Sequence, residues 1–182
     1  MMIRKKVFFI FSILAIIISC NKSKISNEVQ EKKVEQDHAS KNIFKRTKFI
    51  SKYDFDQFPV NKIETEKTIL KINTNQHSFS KRYKTMIKQT YENETINFAG
   101  KYILNYWGCG SPCQVGIAIN TINGKLIEIP SASVGYEFRK NSRLLIVKPP
   151  DSLNYYIEDC VYCKPELYLL DTIKNEFVKL RE

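Results

Sequence analysis

Apolar positions change their spacing several times along this chain, and each spacing predicts a different element. Val7 to Ile18 is a run of twelve uncharged residues behind Arg4, Lys5 and Lys6. That is too short to cross a hydrocarbon layer of about 30 Å as a helix, and it reads as the core of an export signal. Residues 21–52 show no apolar period before Ile43-Phe44, so they cannot offset the entropy of ordering and read as a flexible tether. Thr68 to Ile72 has the β-branched and aliphatic content of a strand. From there the period shifts: Phe79, Tyr83, Met86, Ile87 and Tyr91 fall on one face of a helix over about 79–92, with Ser78 or Ser80 as cap and Asn93 left-handed at its end.

Strand signals dominate the remainder. Lys101 to Trp107 alternates with both sides apolar enough to be covered. Gln114 to Asn120 sets Val115, Ile117 and Ile119 on one side and Gly116 and Ala118 on the other, a smooth face on which Trp107 or the helix is expected to pack. Asn123-Gly124 predicts a type I′ hairpin into Lys125 to Ile129, which Pro130 ends. Arg143 to Lys148 reads as a buried strand stopped by Pro149-Pro150, and Glu166 to Leu170 with Phe177 to Leu180 as a last hairpin. The expected class is α+β: mostly antiparallel sheet with one amphipathic helix packed on it. The expected division is a signal over 1–19, a tether over 20–52 and one folded domain over 53–182.

A formal charge of +10 raises nucleic acid as a partner, and its placement removes that reading. Residues 1–52 carry 12 Lys/Arg against 4 acids, and residues 53–182 carry 17 against 15, so the basic excess lies outside the expected domain. Within the tether the balance is 9 against 4, a run suited to an anionic membrane surface or simply to water. Lys81, Arg82, Lys84 and Lys88 fall largely away from the apolar stripe and read as a solvated face.

The end of the leader reads Ile17-Ile18-Ser19-Cys20 and resembles the lipobox of bacterial lipoproteins. The resemblance implies cleavage before Cys20, a diacylglyceryl thioether on its sulfur, and a membrane as partner through that anchor. Two or three acyl chains at about 0.8 kcal/mol per buried CH₂ hold a protein essentially permanently. Asn21, rather than Asp, favours the outer membrane in Gram-negative lipoproteins.

Four cysteines remain: Cys109, Cys113, Cys160 and Cys163. In an exported chain an even number favours disulfides, and four allow three connectivities. Local pairing, Cys109 with Cys113 and Cys160 with Cys163, is the expected one, each small loop contributing about 2 kcal/mol. Two alternatives use the same residues. Four thiolates at these spacings approach a structural zinc set, which an oxidising compartment disfavours. Cys160-Val-Tyr-Cys163 has redox spacing, but Glu158 and Asp159 oppose a low thiolate pKa. His38 lies in the tether, and His77 has no acid partner at a fixed spacing. Phosphate-loop, dinucleotide and nucleophile-elbow patterns are missing. No cofactor or metal is therefore expected, and enzyme is the weaker class, with an envelope hydrolase or thiol-disulfide enzyme as the alternative.

Tyr83 and Thr85, Asn97-Phe-Ala-Gly-Lys-Tyr102, Trp107-Gly-Cys-Gly-Ser-Pro-Cys-Gln114, Gly124-Lys125 before a strand ending in Pro130, and later Phe138 with Ser142-Arg-Leu-Leu145 form one pattern. It is similar to a family of uncharacterised bacterial exported proteins. The resemblance implies architecture and no activity. Cys160 and Cys163 lie outside the family pattern, which implies that Cys109 and Cys113 are partners without them. The expected function is a binding or structural module in the envelope, docking an envelope or foreign protein. Its candidate surface is Trp107, Ser111 and Pro112 with Tyr155, Tyr156 and Tyr162.

Overall fold

In the computed structural model, residues 45–181 are described. The lipobox, Cys20 and most of the expected tether lie outside them. Every strand pairing is antiparallel, in three sheets. Within the stretch expected to be a tether, β1 (Arg46–Lys48) pairs with β7 (Tyr156–Glu158), so described structure begins ahead of the Tyr53 expected as the domain's start. A three-stranded sheet runs β2 (Tyr102–Gly110), β3 (Cys113–Asn120) and β4 (Leu126–Ala132). A four-stranded sheet has the order β5 (Tyr136–Phe138), β6 (Leu144–Val147), β8 (Glu166–Asp171) and β9 (Glu176–Lys179).

Period-2 alternation decides what each face of these sheets touches. Ile103, Ile117, Ile119 and Leu126 share a buried cluster with Ile87 and Tyr91 of the helical layer. Leu104, Ala118, Ile127 and Ile129, on the opposite face, pack against Tyr136, Leu145, Val147 and Leu170 of the four-stranded sheet. The far side of that second sheet, Leu144, Ile146 and Leu167, is covered by Phe55, with Phe49, Tyr53 and Phe58 against it. The stack is thus helices, sheet, sheet and an N-terminal strap, which explains why Leu144 to Val147 is apolar at every position and buried throughout.

Six local expectations differ from the structure. Pro130 does not end β4, which runs on to Ala132, because the proline sits at a register shift on an edge strand, where its missing N–H is tolerated. The helical stripe is divided into α1 (Ser78–Arg82) and α2 (Lys84–Asn93) at Tyr83, whose ring sits 4.7 Å from Phe79 and 5.4 Å from Trp107, so aromatic packing outweighs helix continuity there. α1 is capped by His77, which forms a capping box with Ser80, and the chain leaves α2 through an extended Glu94 with no left-handed Asn93. Thr68 to Ile72 forms no strand: the N–H groups of Thr68 and Ile69 both donate to the Thr121 carbonyl, while Ile72 is buried and Leu70 is fully exposed. β3 and β4 are joined by a wider loop than a type I′ turn. The Asn120 side chain accepts from Ile122 and Asn123 N–H and begins the loop early, and only Gly124 takes positive φ, at 71°. Finally, the smooth Gly116/Ala118 face meets the second sheet, and Trp107 and the helices occupy the other side. A Cβ at Gly116 would stand 2.3 Å from the Asn105 carbonyl and 2.8 Å from Ile129, so glycine is required by close approach.

Candidate functional site

Register shows that the two sheets share two distinct ends. β2 and β3 finish together at Gly110↔Cys113, Ala132 of β4 lies opposite Gln114, and Tyr136 at the start of β5 donates its hydroxyl to the Gln114 and Pro130 carbonyls. Val147 closes β6 against Glu166 at the start of β8. All of these lie at one end of the sandwich. Both disulfides are there too, Cys109–Cys113 and Cys160–Cys163, with Cα separations of 5.1 and 5.3 Å. The local connectivity is the observed one, and it occupies the four sulfurs that the zinc alternative would require.

The first disulfide closes the tip of the β2–β3 hairpin, where Gly110 has φ 130° and the Ser111-Pro112 bond is cis. The second closes the loop between β7 and β8, and the two regions meet through Ser133, whose hydroxyl donates to the Tyr162 carbonyl at 2.7 Å. Neither Cys160 nor Cys163 begins a helix, and both sulfurs are held in the disulfide. The same end carries an ion cluster: Glu166 accepts from Lys148 and from Lys179, both at 2.8 Å, and from the Tyr168 hydroxyl at 2.9 Å. Lys148 above all, then Lys179, holds the Glu166 carboxyl down at about 2, while burial and that same carboxylate push the Tyr168 phenol up to about 12.

These placements sort the residues expected from sequence. Ser111 and Pro112 are exposed at the hairpin tip, and Tyr162 is 68% exposed on the second stapled loop. Val161, at 89%, and Val134, at 52%, belong to the same end; sequence reasoning missed them, although Val161 lies inside the Cys-Val-Tyr-Cys motif. Trp107 is half-buried and directed at the helical layer, against Phe79 and Tyr83, with its indole N–H lacking a partner among the described residues. Tyr155 and Tyr156 stand apart from the hairpin tip, beside β1 and β5: Tyr156 pairs with Lys48, and the Tyr155 hydroxyl meets Glu137 at 3.3 Å. Burial first, and Glu137 second, push the Tyr155 phenol up. His77 is used as a cap, its Nδ1 accepting from Ser80 N–H at 3.3 Å.

The arrangement can hold a surface still: two short covalent loops, the second tied by a hydrogen bond to the β4–β5 turn, present apolar side chains without a large ordering cost on contact. Comparison of the chain with protein-family models, with curated proteins and with solved structures returned no match.

Proposed function

We propose that this chain is an envelope lipoprotein whose folded part is a binding module, anchored through Cys20, with the outer membrane favoured. Its partner is an envelope or foreign protein, taken up at the stapled end of the sandwich. The observation that carries this reading is the convergence, at one end of the sandwich, of the exposed Ser111-Pro112 tip of one disulfide-closed loop, Val161 and Tyr162 of the other, and Val134 on the β4–β5 turn whose Ser133 holds the second loop. Exposed apolar groups on a rigid, polar-rimmed platform are a common signature of protein docking. In the finer reading of the fold, α1 and α2 act together as one helical buttress on the back of the three-stranded sheet, making the whole α+β.

Two experiments test the two halves. Metabolic labelling with a fatty acid is expected to mark the wild-type chain and not Cys20→Ser; equal labelling of both removes the anchor. Crosslinking in intact cells is expected to capture an envelope protein through the wild type and to lose it in Tyr162→Ala combined with Val161→Asp. Capture that survives this pair, while Lys88→Ala abolishes it, moves docking to the basic helix face.

A further inference from the structure

A cavity of about 360 Å³ opens at the opposite end of the sandwich, roughly 26 Å along β2 from the hairpin tip at ~3.3 Å per residue. It is walled by a strap over 59–64, by Ala99 and Lys101, by Arg143 and by Thr172. The Asn97-Phe-Ala-Gly-Lys-Tyr102 motif builds its floor. Phe98 and Tyr102 are fully buried, and the Asn97 side chain brackets the Leu104 backbone, accepting from its N–H at 2.8 Å and donating to its carbonyl at 3.0 Å. That leaves Ala99 and Lys101 to face the opening.

The floor is fixed in an uncommon conformation. Ala99 has φ 43° and Gly100 φ 75°, and an alanine in this region signals a backbone held by its surroundings. The Ala99 and Gly100 N–H groups donate to the Arg139 and Lys140 carbonyls, and Glu64 N–H donates to Gly100 at 2.7 Å. The strap is closed further by Val60 N–H to Asn141 and Arg143 N–H to Phe58, both at 3.0 Å. A Cβ on Gly100 would stand 2.2 Å from the Lys62 carbonyl, so the glycine lets the strap seal the wall. The cavity is therefore preformed.

Its charge is unbalanced. Lys62 pairs with Glu64 at 2.9 Å, whereas Lys101 and Arg143 have no carboxylate within ion-pair distance among the described residues. Asp171, nearby, accepts from the N–H groups of Lys174 and Ile173 at 3.0 and 2.9 Å, which hold its carboxyl below the usual range with a smaller push from Arg143, and it stands outside ion-pair distance of that guanidinium. Three cations against Glu64 leave two positive charges at the lining, the complement of a dianion.

We infer that this cavity binds a small phosphate monoester. Arg143 donates from Nη1 to the Leu170 carbonyl at 3.4 Å and keeps further guanidinium N–H groups for phosphoryl oxygens, Lys101 supplies a point charge, and Thr172 and Asn61 offer hydrogen bonds to the organic part. The site is independent of the stapled end.

Calorimetric titration of the full chain in non-ionic detergent tests it. Hexose 6-phosphate and inorganic phosphate are expected to bind saturably, the free hexose not at all, and acetate at least ten-fold more weakly than phosphate. Arg143→Gln is expected to weaken the phosphates by ten-fold or more and Lys101→Gln by about five-fold, whereas Glu64→Gln, which removes the only lining carboxylate, should tighten them several-fold. A misfolded variant cannot bind more tightly, so the Glu64→Gln result separates charge from structure. No saturable binding of either phosphate by the wild type, acetate binding as tightly as phosphate, or weaker binding by Glu64→Gln would each overturn the inference.

Discussion

The two ends of the sandwich are held by different forces. At the turn end the chain is closed by hydrogen bonds: Asn120 and Asp171 each take two backbone N–H groups of their own loops, and Ala99-Gly100 is locked by main-chain bonds to Arg139, Lys140 and Glu64. At the stapled end the links are covalent and ionic, through two disulfides and the Lys148–Glu166–Lys179 cluster. Burial explains the division. β2 begins with Tyr102, Ile103 and Leu104 all buried and ends with Gly108, Cys109 and Gly110 all exposed. Where apolar contact fades, bonds that do not depend on it take over.

The largest effect should come from the middle, which both ends share. Leu104→Ala, at a site 1% exposed, is expected to cost about 3–4 kcal/mol in urea unfolding with both ends lost in one transition. Two separate transitions would show that the ends are independent folding units.

Breaking the turn end comes next. Asn97→Ala strips the buried Leu104 N–H and carbonyl of their partners at the open edge of β2 and is expected to cost about 2–3 kcal/mol by the same measurement.

Acid should loosen the stapled end. Because the folded Glu166 pKa lies below its ordinary 4.5, the stabilisation is complete above that value and is lost as pH falls from about 4.5 to about 2. With Lys179 more than half exposed, it amounts to about 2 kcal/mol after screening, and Glu166→Gln should flatten that part of the stability–pH curve.

Replacing Cys109 and Cys113 together by Ser should cost about 2 kcal/mol at most, the entropy of a small loop. Alkylation of the unfolded wild type without reductant should leave Cys109, Cys113, Cys160 and Cys163 unmodified. The smallest change is at the surface: Arg46→Ala removes an exposed 3.4 Å pair with Glu158 and should alter stability by less than about 0.5 kcal/mol.

What could be read from the chain follows the same division. The three strands from β2 to β4, the buried β6 and the β8–β9 hairpin announced themselves because each carries enough apolar period to reveal a covered face. β1, β5 and β7 span three residues each, too few for any period, and are formed by partners distant in sequence. Asn123-Gly124 misled because the competing signal was a side chain, that of Asn120, three residues ahead. Local cysteine pairing was accessible from spacing, but the meeting of the two loops was not, since it depends on Ser133 and on the register that brings Ala132 opposite Gln114. Trp107 was expected at a binding surface because aromatic residues suit both interfaces and cores; the helical layer decides which.

The short pairing of β1 with β7 has a mechanical meaning. All three residues of β1 are exposed and none belongs to a buried cluster, yet Lys45, where description begins, is tied to Asp159 immediately before the Cys160–Cys163 loop. Because β1 pairs with β7 alone, a force applied at Lys45 loads this ribbon before any strand of the two larger sheets. β1 can therefore peel away while both larger sheets keep their shape, a fuse that yields under tension and re-forms when the load is gone.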